Sequence, residues 1–200
     1  MDILVTGGAG FLGQQLIRGL LDRGGIELDG RTHGIDRIVC FDQAAGALQD
    51  ARVHNVAGDI SDAAVVRGLV GKDTGVIVHL AAVVSGTAEA DFDLGMRVNL
   101  DGTRHLLAAA RAVGTQPRLL FSSSIAVFGG DLPAVVTDAT TPTPQGSYGA
   151  QKLIGEVGPN TRGVQRMLER IGFKDANHID PFDGGPHYEA NLSDVTLVRH

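Results

Sequence analysis

The sequence predicts an α/β domain, a doubly wound parallel sheet with helices on both faces, and three features point there. From residue 1 to about residue 156, short apolar runs rich in Val, Ile, Leu and Phe alternate with amphipathic stretches, as repeated βαβ units do. The centres of several runs, Ile3-Leu4-Val5, Ile38-Val39-Cys40-Phe41 and Val76-Ile77-Val78, are continuously apolar, as strands buried on both faces require. A glycine-rich turn, Thr6-Gly7-Gly8-Ala9-Gly10-Phe11-Leu12-Gly13, joins the first run directly to the first amphipathic stretch.

Taken in order, the runs place five strands: Asp2 to Thr6, Arg37 to Phe41, Val53 to Ala57, Val76 to Leu80 and Arg118 to Phe121. Helices are predicted at Phe11 to Arg23, Ser61 to Val70 and Phe92 to Val113, the last with Leu94, Val98, Leu106, Leu107 and Ala110 at helical spacings. Ser61 is the expected N-cap of the second helix, with Asp62 adding charge to its first turn. The stretch Asp131 to Gly146, with Pro133, Pro142 and Pro144, reads as a loop leading into a helix that holds Tyr148 and Lys152. After Glu156 the texture changes. Val157-Gly158-Pro159-Asn160 interrupts the helix, a short helical stretch follows near Val164 to Ile171, and Asp180 to Pro186 is rich in turn residues. The expected division is therefore a domain over 1–156 and a tail of different texture over 157–200.

Composition narrows the function classes. With 43% hydrophobic residues in 200, the chain holds enough apolar material for one sizeable core. A net charge of −6 with no run of Lys or Arg argues against a nucleic-acid surface. The single Cys40 lies in Ile38-Val39-Cys40-Phe41 and reads as a small buried hydrophobe in a reducing compartment. No basic leader or long apolar stretch precedes or interrupts the pattern, so the expectation is a soluble cytoplasmic protein without a membrane span.

Gly7, Gly10 and Gly13 repeat every third residue between a strand and a helix. Missing side chains there permit a tight turn, close backbone approach to a pyrophosphate and packing of helix on strand, while the N–H groups of Phe11 and Leu12 open the helix toward the anion. This is the turn of a Rossmann-like sheet. Asp42, after the second strand, can accept hydrogen bonds from an adenosine ribose and repel a 2′-phosphate, which favours NAD over NADP; a solvated aspartate is the plain alternative. Its separation from Gly13 is longer than usual, which points to an insertion around Gly24 to Asp36. Asp59-Ile60 can bracket an adenine or simply make a turn. Leu80-Ala81-Ala82 offers small side chains at the carboxyl edge, and Asn99, inside a helix, either braces the site or is an ordinary satisfied amide.

Tyr148 and Lys152 stand four apart and share a helix face. A free phenol titrates near about 10, so a tyrosine that takes a proton from an alcohol needs a positive neighbour, and Lys152 supplies one. Ser122-Ser123-Ser124 ends the fifth strand at the edge where ligands of such sheets bind. Ser124 is the expected partner of the reacting oxygen, although serines at a strand end also form turns.

Together, the Gly7/Gly10/Gly13 turn, Asp59-Ile60, Leu80-Ala81-Ala82, Phe121-Ser122-Ser123-Ser124 and Tyr148-x-x-x-Lys152 resemble the extended short-chain dehydrogenases, the NAD-dependent epimerase/dehydratase family. The resemblance covers residues 1 to about 156. It implies Tyr148 as proton acceptor, Lys152 as its electrostatic partner and holder of the nicotinamide ribose, and Ser124 as ligand of the substrate oxygen, with Ser122 beside the cofactor. Within the family, Ala88 to Gly95 and Ser124 to Gly130 are similar to members that oxidise the C2 hydroxyl of a small, D-erythronate-like sugar acid. Ser85 and Gln145 are the candidate contacts to such a substrate, and a homodimer is implied. No metal is expected, since His178 and His187 lack a third ligand at a recognisable spacing.

A family member continues past the Tyr148 helix into a substrate-binding region, for which 44 residues after Glu156 are too few. Residues 160–173 and 179–186 instead resemble the C-terminal part of arginine N-succinyltransferases. A dinucleotide-binding module without a complete substrate pocket is thus the second expectation.

Overall fold

The computed structural model describes residues 1–157 and the strands Lys174–Ile179 and Pro186–Glu189. Its centre is a parallel sheet of five strands, β1 (Asp2–Thr6), β4 (Arg37–Asp42), β5 (Val53–Ala57), β6 (Thr74–His79) and β7 (Arg118–Phe121), in the order β5-β4-β1-β6-β7. The chain builds outward from β1 to β5, then returns across β1 to β6. The order reverses between β1 and β6, which opens a crevice at the carboxyl ends of the strands.

Alternate strand residues serve opposite faces. Ile3 and Val5 pack with Ile17, Leu20 and Ile38 under α1 (Phe11–Arg23). Leu4 and Phe41 pack with Val66, Ile77 and Leu106 under α2 (Ala63–Leu69) and α5 (Gly102–Val113). Cys40 is fully buried among the first group, as a small hydrophobe.

Several elements depart from the sequence expectation. The cap of α2 is Asp62, not Ser61: its Oδ1 accepts the N–H groups of Ala64 at 2.8 Å and Val65 at 3.3 Å. A carboxylate gains more than a hydroxyl from the positive helix end. The long third helix divides into α4 (Phe92–Gly95), a π-helical turn (Met96–Asp101) and α5. The insertion at 24–36 folds as a hairpin of β2 (Gly25–Leu28) and β3 (Arg31–Gly34), turned by Asp29 and Gly30 at φ 53° and 72°. Two successive positive φ values make a type I′ turn, for which Asp-Gly is a preferred pair and thus a readable signal. Arg118 grips both Asp29 oxygens, at 2.7 and 2.6 Å, and ties the hairpin to β7. A short helix α3 (Ser85–Ala90) and a 3₁₀ turn (Ile125–Val127) also appear in stretches where the sequence reading placed no element.

The last helix among the described residues, α6 (Ser147–Val157), carries Tyr148 and Lys152. Strands β8 (Lys174–Ile179) and β9 (Pro186–Glu189) pair as an antiparallel ribbon. The helix expected near Val164 to Ile171, most of the turn-rich segment after it and the succinyltransferase likeness lie outside the described residues. No described helix is long and apolar enough to cross a membrane.

Candidate active site

The glycine turn works by close approach. At Gly7, with φ 72°, an added Cβ would lie 2.8 Å from the backbone nitrogen of Ala81, so the turn lies directly against the end of β6. At Gly13 it would lie 2.3 Å from the Gly7 carbonyl oxygen and 2.6 Å from Gly8 Cα, so α1 is seated on its own entry turn. Gly10 is the N-cap and offers no side chain to the first-turn N–H groups, which leaves them available to an anion. Phe11 and Leu12, in that turn, are exposed. Gly13→Ala is expected to lower stability by at least about 2 kcal/mol through overpacking, and dinucleotide affinity by tenfold or more. Urea melts and calorimetric titration check both, and an unaltered turn in the variant would contradict the expectation.

A cavity of about 300 Å³ lies over this turn, lined by Gly7, Gly10, Asp42, Ile60, Leu80, Ala81 and Ala82 of the expected residues. Phe41, Gln43, Gly58, Val83 and Val98 complete it and were missed. Gly58 had a detectable signal, since glycine ends β5 at the edge where ligands approach, and a Cβ there would meet the Phe41 ring at 2.9 Å. Asp42 fastens the rim: Oδ2 accepts the Ala9 N–H at 3.0 Å and Oδ1 the Gln43 N–H at 2.7 Å. Asp59 is exposed and outside the lining; its Oδ1 accepts the Ser61 N–H at 2.8 Å, a turn contact.

Helix α6 carries Tyr148 and sets Lys152 against the end of β7. The buried Lys152 Nζ donates to the Ser122 carbonyl at 3.0 Å and lies 5.0 Å from the Phe121 ring centre and 5.8 Å from that of Tyr148. Burial pushes this ammonium below its usual range, while the Glu156 carboxylate pulls the other way. Glu156 is itself held by the Ser123 hydroxyl. Ser124 caps the 3₁₀ turn, its Oγ accepting the Ala126 N–H at 3.2 Å, which leaves its proton free to donate. An open cavity of about 430 Å³ lies on this side, lined by Ser123, Ser124, Ile125, Val127, Phe128, Pro142 and Glu156.

Gly149 joins these halves. A Cβ there would lie 2.2 Å from the Ala126 carbonyl oxygen, so α6 packs directly on the Ser124 turn. The sequence signal was a glycine inside a helix, a position that costs about 1 kcal/mol against alanine unless packing needs it.

Asn99 projects inward from the π turn and is used up internally. Its Oδ1 accepts the Val83 N–H at 2.9 Å, and its Nδ2 donates to Gln151 Oε1 at 2.9 Å and Val83 O at 3.2 Å. It braces the segment after β6 against α6 and does not line the cavity. Ser85, the first residue of α3, and Gln145 are exposed and line neither cavity; Gln145 Nε2 donates to Thr143 O at 3.0 Å.

Beneath the site runs a directed hydrogen-bond chain centred on His79, which is 1% exposed. Thr103 Oγ1 donates to Asn99 O at 2.6 Å, so at 3.0 Å it accepts from His79 Nε2–H. The bare Nδ1 then accepts from Thr6 Oγ1 at 2.6 Å, whose oxygen receives the Ala81 N–H at 3.3 Å. The chain's bonds fix the tautomer as Nε2–H. Burial, and secondarily the Lys152 charge, push His79 down to about 4.

The sequence model of the NAD dependent epimerase/dehydratase family matches residues 3–181, a range that runs past Glu156. The chain is 60% identical over 158 residues to the D-erythronate dehydrogenase of Cupriavidus necator, covering 78% of this chain and 49% of that protein. It is 37% identical over 159 residues to that of Haemophilus influenzae, covering 78% and 48%. The chain thus spans about half the length of these curated relatives. Among solved structures, the nucleoside-diphosphate-sugar epimerase of Agrobacterium tumefaciens superposes with a TM-score of 0.70 at 41% identity, over 78% of this chain and 47% of that one. A mutant uronate dehydrogenase of the same organism, complexed with NAD, gives 0.65 at 27%, over 84% and 55%. A doubly wound sheet, a glycine turn at its switch point and a family match over most of the length leave one assignment: the chain belongs to the NAD dependent epimerase/dehydratase family.

Proposed function

We propose that the chain carries the cofactor and proton-transfer half of an NAD-dependent dehydrogenase that oxidises the C2 hydroxyl of a small, D-erythronate-like sugar acid. The observation that carries this reading is the Gly149 contact, which presses the Tyr148 and Lys152 helix against the Ser124 turn. The 60% identity to a D-erythronate dehydrogenase supports the substrate class.

The glycine cradle and the cavity beside it fit a dinucleotide. Gly7, Gly10 and the first turn of α1 would hold its pyrophosphate, and Asp42 its adenosine ribose, while the same carboxylate would repel a 2′-phosphate. NAD, when bound, supplies the hydride acceptor. The Ser124 hydroxyl donates to the substrate oxygen and orients it, and the Tyr148 side-chain oxygen is the acceptor of the hydroxyl proton as hydride leaves for NAD. The Lys152 ammonium, held on the Ser122 carbonyl, keeps positive charge beside the phenol.

Protein mixed with NAD and D-erythronate is expected to produce NADH absorbance at 340 nm, roughly, with NADP a poorer substitute. No absorbance change would sink the reading. One alternative is a dinucleotide-binding module without turnover, since Tyr148 and Lys152 lie outside the lining of the cavity over the glycine turn. Calorimetric titration with NAD separates them: heat of binding without turnover selects the module, and no heat removes both.

A further inference from the structure

The N-terminus of α6 lacks a cap of its own. Its N-cap position is Gly146, whose carbonyl accepts the Ala150 N–H at 3.1 Å. A glycine there has no side chain to receive the first-turn N–H groups that every helix leaves open. Glu89, on α3, takes that place from a distant part of the sequence. Its Oε1 accepts the Tyr148 backbone N–H at 2.9 Å and its Oε2 the Ser147 hydroxyl at 3.0 Å. The carboxylate sits close against the glycine: a Cβ at Gly146 would lie 2.5 Å from Glu89 Oε1.

We infer that Glu89 is a positioning residue, an N-cap supplied from α3 that sets the first turn of α6 and thereby the Tyr148 phenol. The inference rests on the proposed function for its catalytic meaning and on the two hydrogen bonds for its structural one. The carboxylate places negative charge at the positive end of the helix dipole, and the Tyr148 N–H in turn holds the Glu89 carboxyl below the usual carboxylate range. Because α3 begins at Ser85, just past the cavity-lining Val83, the cap ties the segment after β6 to the catalytic helix. The Asn99 to Gln151 bond makes the same tie one turn further on. Glu89 thus fixes the end of α6 that carries Tyr148, and Asn99 the stretch that carries Lys152.

Hydrogen exchange at the Tyr148 amide, read by NMR on the full chain, tests this whether or not the chain turns over. In Glu89→Ala that amide is expected to exchange at least about tenfold faster, with the amides of β1 and β4 unchanged. Glu89→Gln, whose amide oxygen still accepts from Tyr148 N–H and whose amino group donates to Ser147, is expected to restore protection to within about threefold. Should Glu89→Ala fail to fold, Glu89→Asp, charged but a methylene short of both partners, supplies the same comparison. Turnover is expected to follow, with kcat about tenfold lower in Glu89→Ala, KM for NAD within about twofold of the parent, and recovery in Glu89→Gln. Equal Tyr148 exchange in the parent and the shortened variants overturns the inference, as does a kcat loss that Glu89→Gln does not recover. A parent protein without turnover defeats the proposed reaction instead and leaves amide exchange to decide the role of Glu89.

Discussion

Tyr148→Phe is expected to lower kcat by about two to four orders of magnitude, the range that a positioned proton acceptor contributes, while leaving NAD affinity within about twofold. The variant loses one oxygen and little else. The ring that lies 5.8 Å from Lys152 Nζ remains, and so does the backbone N–H that bonds Glu89. The glycine cradle is untouched, because Tyr148 does not line the cavity beside it. Steady-state kinetics with NAD and D-erythronate, paired with calorimetric titration, give both numbers. A variant that keeps more than a tenth of parental kcat would remove Tyr148 from the role, and loss of NAD binding would show that the phenol supports the cofactor site.

Acid is expected to weaken the fold through His79. The folded protein holds this ring neutral down to about 4, against an ordinary value of 6.5. Between those values the unfolded chain binds a proton that the folded chain does not, so stability falls as pH falls. The contribution is intact above pH 6.5 and fully lost below about 4. A displacement of that size corresponds to roughly 3 kcal/mol, an order-of-magnitude figure. Urea unfolding at pH 7 and pH 4.5 measures the loss, and NMR of the ring assigns it: the His79 signal should titrate near 4 and carry its proton on Nε2. A ring that titrates near its ordinary value would show that the Thr6 to Thr103 chain is not closed around it. The physical reason is that a charged imidazole would sit without water beside the Lys152 ammonium, which disfavours it twice.

Features that follow from local chemistry were legible in the sequence. The strands read well because a parallel strand covered on both faces must be apolar along its whole length, so Ile3-Leu4-Val5 and Ile38-Val39-Cys40-Phe41 announce themselves. The glycine turn read well because steric exclusion acts within a few residues: Gly13 meets Gly7 and Gly8. The Asp-Gly hairpin signal was present too and went unread because it lay inside an expected insertion. Asp59 carried two readings in the sequence, an adenine contact or a turn former, and the structure shows its Oδ1 accepting the Ser61 N–H of its own turn.

The remainder depends on groups far apart in sequence. Glu89 and Tyr148 are 59 residues apart, and Thr6 and His79 are 73 apart. No local rule assigns a cap from another helix or a tautomer from two threonines. Gly149 is a costly helix position by local rules alone, and the Ala126 carbonyl packed against it supplies the reason for it.

The sequence by itself determined the strand order's raw material, the glycine turn and the shared helix face of Tyr148 and Lys152, because those rest on covalent neighbours and on the period of a helix or strand. Tertiary structure alone decided that α6 packs against the Ser124 turn, that His79 stays neutral and that α6 takes its cap from Glu89, because each depends on which surfaces meet once the sheet has formed.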